Sequence, residues 1–226
     1  DKFPLLIKIL DASDNLSVQV HPEDDYAREN ENGELGKTEC WYVLDAKEGA
    51  KLVYGHTAKT KEEFNDKINR EQWQELFIEE EVKAGDFFYI PAGTLHAIGE
   101  GILIYEVQQN SDTTYRVYDY DRVDKDGNKR ELHIEKTKDV TKVPFEKVTT
   151  SPKTEKLEGA TVTCLADERY FSVFKVEVEG EVSLEKTRTG NLFTVLNGSG
   201  SVEIDGSSYD VKKGDSFILT TDCSKY

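Results

Sequence analysis

Two segments that otherwise read as apolar strands carry polar side chains of the types that can hold a cation. Residues 16–22 alternate strictly in polarity, so Gln19 and His21 point to one face while Val18 and Val20 point to the other. Glu39 opens the apolar run CWYVL, where an unpaired buried carboxylate would be costly. A cation nearby would remove that cost, so the pattern favours metal chemistry.

A third segment ends in a histidine with a recognisable spacing. Residues 85–96 match the second motif of cupins, G-x5-P-x-G-x2-H, at every fixed position. Pro91 and Gly93 bend the backbone so that His96 returns toward the interior of the predicted barrel. The first cupin motif normally supplies an H-x-H pair and a Glu. Here it is replaced by Gln19-x-His21 and a delayed Glu39.

Both departures are features of the type I phosphomannose isomerases, which this sequence resembles over nearly all its length. The runs that carry the resemblance are SVQVHP, GKTECWYV, IPAGTLHAI and EVQQNSDTTYR. The resemblance implies a tandem cupin fold and the interconversion of mannose 6-phosphate and fructose 6-phosphate, with a sugar phosphate as the small-molecule partner.

The resemblance also implies the residues of a metal site. It assigns His21, Glu39 and His96 as the ligands of one Zn²⁺ per chain, and Gln19 as a fourth ligand in some members. Two imidazoles, one carboxylate and an open or weakly held position form the donor set of a catalytic zinc site. Gln19 can equally be a hydrogen-bonding residue behind the ligands.

The implied reaction moves a proton between C2 and C1 through an enediolate, so it needs a base, an oxyanion stabiliser and a grip on phosphate. By the resemblance Arg116 is the active-site arginine, and Lys37 is a pocket lysine that pairs with phosphate or shuttles protons. Surface salt bridges are the alternative role for both. Glu106 is a candidate for proton transfer or for neutralising Arg116. Asp112 is an acid or an orienting partner, and the base stays open.

The rest of the chain predicts an all-β protein with a small helical insertion. A helix is expected at Lys59–Phe77, where Thr60 and Glu63 have capping-box spacing. Short β-branched or aromatic runs predict ten strands: Phe3–Leu10, Leu16–Val20, Cys40–Leu44, Phe87–Ile90, Ile102–Val107, Tyr115–Tyr118, Phe171–Val178, Leu192–Leu196, Ser201–Ile204 and Ser216–Leu219.

Three segments are expected along the chain. A metal-binding catalytic cupin domain spans 1–120, and a connecting segment with a short helix near Leu132–Val140 spans 121–158. A degenerate, metal-free cupin domain spans 159–226, and we expect it to be truncated because the chain looks cut from something longer. Gly214-Asp215 precedes a strand there as Gly85-Asp86 does in the first domain, which hints at duplication.

Composition limits the partners. The net charge of −16 disfavours nucleic acid and anionic membrane surfaces, and no apolar run is long enough to span a bilayer. Cys40, Cys164 and Cys223 have no paired spacing, and we expect free thiols and a cytoplasmic location. The oligomeric state stays open.

Two other functions fit parts of the pattern. A non-catalytic sugar-phosphate-binding cupin would keep the fold without needing Lys37 or Arg116. A cupin oxygenase would place iron or manganese on a 2-His-1-carboxylate site. Gln19 in place of the first histidine makes the oxygenase a poorer fit.

Overall fold

The computed structural model describes residues 3–184 and 190–220, and most of its regular elements are strands, as the sequence predicts. Within these described ranges, sixteen strands and four helices follow one another in chain order: β1 Leu5–Asp11, β2 Val18–Val20, α1 Asp24–Asn30, β3 Glu39–Ala46, β4 Lys51–His56, α2 Lys61–Asn69, α3 Trp73–Leu76, β5 Phe77–Glu81, β6 Phe87–Ile90, β7 His96–Ala97, β8 Ile102–Gln109, β9 Tyr115–Tyr118, α4 Ile134–Val140, β10 Lys153–Leu157, β11 Ala160–Asp167, β12 Ser172–Val178, β13 Asn191–Thr194, β14 Ser199–Ile204, β15 Ser207–Lys212 and β16 Ser216–Leu219.

The first of two compact units comprises residues 1–152 and 165–173. It contains a four-stranded sheet in the order β1-β8-β3-β6 and a five-stranded sheet in the order β5-β4-β7-β2-β9. The pairings given for both sheets are antiparallel. Each strand can therefore present alternate side chains to the space between the sheets.

Apolar side chains from both sheets fill that space. Trp41 and Ile104 from the first sheet belong to one buried cluster with Leu52 and Tyr54 from the second, and each of these four side chains is almost fully buried. Burial of this much apolar surface is the main force that holds two sheets together. The core fixes the sheet ends from which the candidate site residues project.

The helical insertion is shorter than predicted. The sequence predicts one helix over Lys59–Phe77, but α2 ends at Asn69 and only a single turn, α3, follows before β5 begins at Phe77. Glu71 has φ of +53°, in the left-handed region that interrupts an α-helix. The predicted N-terminal cap is present, since the Thr60 side chain accepts a hydrogen bond from Glu63 N.

Several elements of the structure were not predicted from the sequence. Strand β7 has only two residues, too few for a polarity period, and β4 and β5 lie where no strand is predicted. The seven-residue helix α1 lies in a strongly charged stretch with one buried residue, Ala27. By contrast, β6, β9 and β16 have the predicted bounds.

The second unit comprises residues 153–164 and 174–226. It holds two antiparallel ribbons, β13 with β16 and β14 with β15, and Phe193 stacks on Phe217 across the first. Residues 185–189 and 221–226, including Cys223, lie outside the described residues. Cys40 is a buried free thiol. The domain boundaries at 120 and 158, and the metal-free nature of the second domain, stay predictions.

No described helix is both long and apolar enough to cross a bilayer.

Candidate metal centre and cavity

The fold brings His21, Glu39 and His96 together between the two sheets of the first unit. His21 directly follows β2, Glu39 begins β3 and His96 begins β7. His21 Nε2 lies 3.4 Å from Glu39 Oε2, and His96 Nε2 lies 3.3 Å from Glu39 Oε1. All three side chains are buried, and in the described residues this is the single group of three potential metal ligands.

Backbone carbonyls orient both imidazoles. His21 Nδ1 lies 2.9 Å from the carbonyl oxygen of Thr113, and His96 Nδ1 lies 2.8 Å from that of Thr94. A carbonyl oxygen can only accept, so each Nδ1 must donate its proton to it. Each Nε2 then turns an unshared electron pair toward Glu39, as in metal-binding histidines.

The environment of Glu39 favours a bound cation. Its side chain is fully buried, and neither carboxylate oxygen accepts a hydrogen bond within the described part of the chain. Lys37 Nζ forms an ion pair with Glu39 Oε2 at 3.0 Å and lies 3.1 Å from His21 Nε2. A buried carboxylate without hydrogen bonds is strongly destabilising unless positive charge surrounds it.

The protonation states suit metal binding. Burial and then the charge of Lys37 lower the pKa of His21, and burial lowers the pKa of His96 to about 4. Burial alone would raise the pKa of Glu39, but Lys37, His96 and His21 together hold it well below its usual value. At neutral pH the centre therefore offers two neutral imidazoles and one carboxylate, the protonation states that metal ligation requires.

The three residues are close enough to share one ion. One potential ligand atom from each of them lies within 4.8 Å of the other two. The two imidazoles approach different oxygens of Glu39, His21 Nε2 at 3.4 Å from Oε2 and His96 Nε2 at 3.3 Å from Oε1. Gln19 Nε2 lies 3.4 Å from His96 Nε2, so its amide group is at the same spacing. Its direct ligation stays a prediction, because the carbonyl oxygen of the amide would have to turn toward the centre.

The segment that carries Lys37 and Glu39 is held closely by Asp24. The Asp24 carboxylate accepts hydrogen bonds from Gly36 N at 2.9 Å, Gln109 Nε2 at 3.0 Å and Tyr170 Oη at 2.8 Å. A Cβ at Gly36 would come within 2.5 Å of Asp24 N, so only glycine allows this approach. The side chain of Asp24 thus fixes the start of β3.

We expect the stability contributed by Asp24 to be lost in acid. Burial raises the pKa of Asp24, but the three hydrogen bonds outweigh burial, and the net pKa is lowered. A lowered folded-state pKa stabilises the protein above the unfolded pKa of about 3.9, and this contribution disappears as pH falls through the folded value. In urea unfolding, Asp24→Asn should be less stable by about 1 kcal/mol at pH 7, with a smaller difference below pH ~4.

Asp25→Asn is the matched control for this experiment. Asp25 lies in the same helical turn, but its side chain is 90% exposed and pairs with Arg28. Its replacement should change the stability by less than ~0.5 kcal/mol at either pH. Equal pH dependence in wild type and Asp24→Asn would contradict the assignment.

A polar cavity of about 210 Å³ adjoins the candidate centre. Gln19 and Lys37 contact the centre and also line the cavity, so the two spaces share these side chains. The cavity lining is mixed, with two lysines, a glutamate and several hydroxyl and aliphatic groups: Lys8, Leu10, Leu16, Ser17, Gln19, Lys37, Trp41, Ile98, Glu106 and Thr114.

Glu106 faces this cavity together with a lysine that the sequence reading missed. Lys8 and Glu106 are directly opposite each other in the β1–β8 pairing, and Lys8 Nζ lies 3.1 Å from Glu106 Oε2. Trp41 Nε1 donates to Glu106 Oε1 at 3.1 Å, and Lys8 also donates to Gln108 Oε1 at 2.6 Å. The charge partner of Glu106 is therefore Lys8, whereas Arg116 was the partner considered from the sequence.

Arg116 lies beside the cavity. Its Nε donates to Ser17 Oγ at 3.3 Å and its Nη1 donates to the Glu131 carbonyl oxygen at 2.9 Å. Burial and then the charge of Arg130 lower the pKa of this guanidinium. Thr114 and Ser17 line the cavity, whereas Arg116 does not. Arg116 is linked to the cavity wall by its hydrogen bond to Ser17. Asp112 is exposed and is absent from the cavity lining.

The other two histidines take no part in the centre. His56 is buried, with Nε2 2.9 Å from the Lys142 carbonyl oxygen, and His133 Nδ1 accepts a hydrogen bond from Arg116 N.

The sequence does contain a signal for Lys8, since it is the one charged residue inside the apolar run LLIKIL. The same reasoning that identified Glu39 applies to it.

Comparison with known families gives two matches. Residues 1–44 match the family described as phosphomannose isomerase type I, catalytic domain, and residues 161–226 match mannose-6-phosphate isomerase, cupin domain. The cupin fold expected from the sequence is thereby confirmed.

Comparisons over nearly the whole of this chain agree. The chain is 51% identical over 219 residues to mannose-6-phosphate isomerase ManA of Bacillus subtilis, a match that covers 97% of this chain and 70% of that protein. It is 51% identical over 217 residues to mannose-6-phosphate isomerase of Streptococcus mutans, covering 96% and 68%.

Solved structures agree as well. The crystal structure of the Bacillus subtilis mannose 6-phosphate isomerase superimposes with a TM-score of 0.96 at 45% identity, covering 100% of this chain and 72% of that one. A zinc-bound mannose 6-phosphate isomerase at 16% identity shares the fold, with a TM-score of 0.70 over 98% of this chain and 75% of that one.

Proposed function

The chain belongs to the type I mannose-6-phosphate isomerases, and on that premise we propose that it isomerises mannose 6-phosphate and fructose 6-phosphate with one Zn²⁺ on His21, Glu39 and His96. The proposal depends on one observation, that the candidate metal centre and the cavity share two side chains. Gln19 and Lys37 contact the ligand cluster and line the cavity, so a sugar in the cavity would lie against the metal. When bound, zinc would orient sugar oxygens and offset the charge of an enediolate.

Proton transfer is assigned to Glu106. Its carboxylate lines the cavity. Oε2 forms an ion pair with Lys8 Nζ at 3.1 Å and has no hydrogen bond from a described residue, so one of its lone pairs stays available for the substrate proton. Trp41 fixes the other oxygen. In the forward direction Glu106 would take the proton from C2 of mannose 6-phosphate and return it to C1, while the hydroxyl proton of O2 moves to O1, and the two transfers together yield the ketose.

The cationic side chains divide the remaining tasks. Lys8 balances the charge of Glu106 and can donate a hydrogen bond to a sugar oxygen from the same wall. Lys37 places a second ammonium group between the centre and the cavity. Arg116 supplies a planar fork for the phosphate or an enediolate oxygen. Asp112, which is exposed and precedes β9, is left with an orienting role. A cytoplasmic location stays a prediction.

Glu106→Gln tests the assignment of the base. The amide keeps the size and can still accept from Trp41, but it cannot take a proton, so kcat should fall by roughly 10²–10⁴-fold. Zinc content should be unchanged, since the contacts described for Glu106 are with Trp41 and Lys8, which are not proposed ligands. Glu29→Gln, an exposed glutamate on α1, is the control and should keep full activity. Isomerisation of mannose 6-phosphate is measured, and a fully active Glu106→Gln would remove Glu106 from the mechanism.

Metal analysis separates the proposal from the alternatives. Elemental analysis of purified protein should give zinc, and the loaded protein should convert mannose 6-phosphate without consuming oxygen. Iron with oxygen consumption would support a cupin oxygenase instead. Sugar-phosphate binding without turnover would support a binding protein.

A further inference from the structure

Asp119, the residue that follows β9, is a buried carboxylate that holds two arginines. It is 5% exposed. Its Oδ1 accepts from Arg122 Nη2 at 2.5 Å, its Oδ2 accepts from Arg130 Nε at 2.7 Å, and Arg130 Nη2 also contacts Oδ1. A carboxylate bound by two guanidinium groups through several hydrogen bonds is a rigid arrangement, because the planar groups fix each other's direction.

Arg130, one of the two arginines bound by Asp119, begins a segment that contacts Arg116. The residue after Arg130 is Glu131, whose carbonyl oxygen accepts from Arg116 Nη1 at 2.9 Å. Two residues further, His133 N donates to the Arg116 carbonyl oxygen at 2.7 Å, and Arg116 N donates to His133 Nδ1 at 3.1 Å. Residues 130–133 therefore run along β9 and provide the oxygen that sets the direction of the guanidinium.

Arg116 has no charged anchor of its own to do this. In the part of the chain that the structure describes, its side chain meets two uncharged oxygens, Ser17 Oγ and the Glu131 carbonyl. The neighbouring carboxylate, Asp119, is occupied by Arg122 and Arg130. The positive charge of Arg116 is thus left for an anion, while its position depends on how firmly the Glu131 carbonyl is held.

We propose that Asp119 is a positioning residue that fixes the Arg130–Glu131 segment and through it the direction of the Arg116 guanidinium. The proposal rests on the proposed function, in which Arg116 meets the anionic substrate. Asp119 does not line the cavity, so any effect on catalysis must pass through residues that do or that adjoin it. It is therefore expected to matter only when Arg116 is present.

A double-mutant cycle tests this dependence. Asp119→Asn removes the charge that binds both arginines and should lower kcat/KM for mannose 6-phosphate by roughly tenfold in the wild-type background. In an Arg116→Lys background the same change should cost less than about twofold, because the fork it positions is already gone. Zinc content should be equal in all four proteins. Asp121→Asn, an exposed aspartate that pairs with Lys129, is the control and should have no effect.

Arg130→Gln provides a second route if Asp119→Asn does not fold. Arg130 is 52% exposed, so its loss disturbs the core little, and it should show the same dependence on Arg116. Equal factors in both backgrounds, in whichever variant folds, would mean a general structural role and would overturn the proposal, as would an unchanged kcat/KM. Full activity of Arg116→Lys by itself would instead reject the role of the planar Arg116 guanidinium, and the proposal with it, while leaving the metal site and Glu106 untested by that result.

Discussion

His96→Ala should lose zinc and lower the rate of mannose 6-phosphate isomerisation by at least ~10³-fold, since a bound metal supplies several kcal/mol of charge stabilisation. His96 is held firmly at the candidate centre. It is fully buried, its Nδ1 donates to the Thr94 carbonyl oxygen, and its Nε2 lies 3.3 Å from Glu39 Oε1. Removal leaves two of the three ligands. Zinc content by elemental analysis and initial rates are the measurements.

The stability of the same variant gives an independent readout. A ligand that binds only the folded state stabilises it by about 2.7 kcal/mol at a concentration of 100 times its Kd. Zinc should therefore raise the melting temperature of the wild type and leave that of His96→Ala unchanged. His56→Ala is the control, because His56 is also buried but lies outside the cluster. It should melt lower but still respond to zinc. An equal zinc response in wild type and His96→Ala would contradict the ligand assignment.

Arg116→Lys should lower kcat/KM by roughly 10²–10³-fold, equivalent to ~2.7–4 kcal/mol, while zinc content stays the same. Lysine keeps the charge but loses the fork that reaches Ser17 and the Glu131 carbonyl at once. In a chain of net charge −16, a fixed local cation is needed to receive an anionic sugar phosphate. The measurement is steady-state isomerisation with metal content determined in parallel.

Arg28→Lys is the matched control for this experiment. Arg28 is 64% exposed and forms a surface pair with Asp25, so its replacement should not change the rate. Full activity in zinc-loaded Arg116→Lys would exclude a bidentate role. Full activity in Arg116→Ala would exclude Arg116 from the reaction.

Local patterns predicted the parts of the site that lie on one strand or one turn. The spacing from Gly85 to Pro91, Gly93 and His96 fixes a turn, and Gly93 has φ of +87° with its N–H donated to the His21 carbonyl oxygen. Alternation also predicted that Gln19 and His21 share a face, and both side chains do lie at the candidate centre. These features depend on neighbours in the chain, which a single sequence shows directly.

Long-range pairings could not be predicted in the same way. Lys8 meets Glu106 only because β1 pairs with β8 in one register among several possible, and a shift by one residue would turn both side chains away. Arg116 Nη1 donates to the carbonyl oxygen of Glu131, and the sequence shows no strand or helix pattern there. The helix predicted near Leu132–Val140 begins only at Ile134. The interruption of the predicted helix at Glu71 could not be predicted either, because the helical polarity pattern continues through this residue.

If a metal on His21, Glu39 and His96 is required for isomerisation, activity should depend on the metal alone. The purified protein is assayed after removal of metal with a chelator and again after addition of one equivalent of zinc. We expect no fructose 6-phosphate from the metal-free protein and recovery of the rate with zinc. Formation of fructose 6-phosphate at the full rate by the metal-free protein, or none by the zinc-loaded protein, would show that this metal site does not drive the reaction.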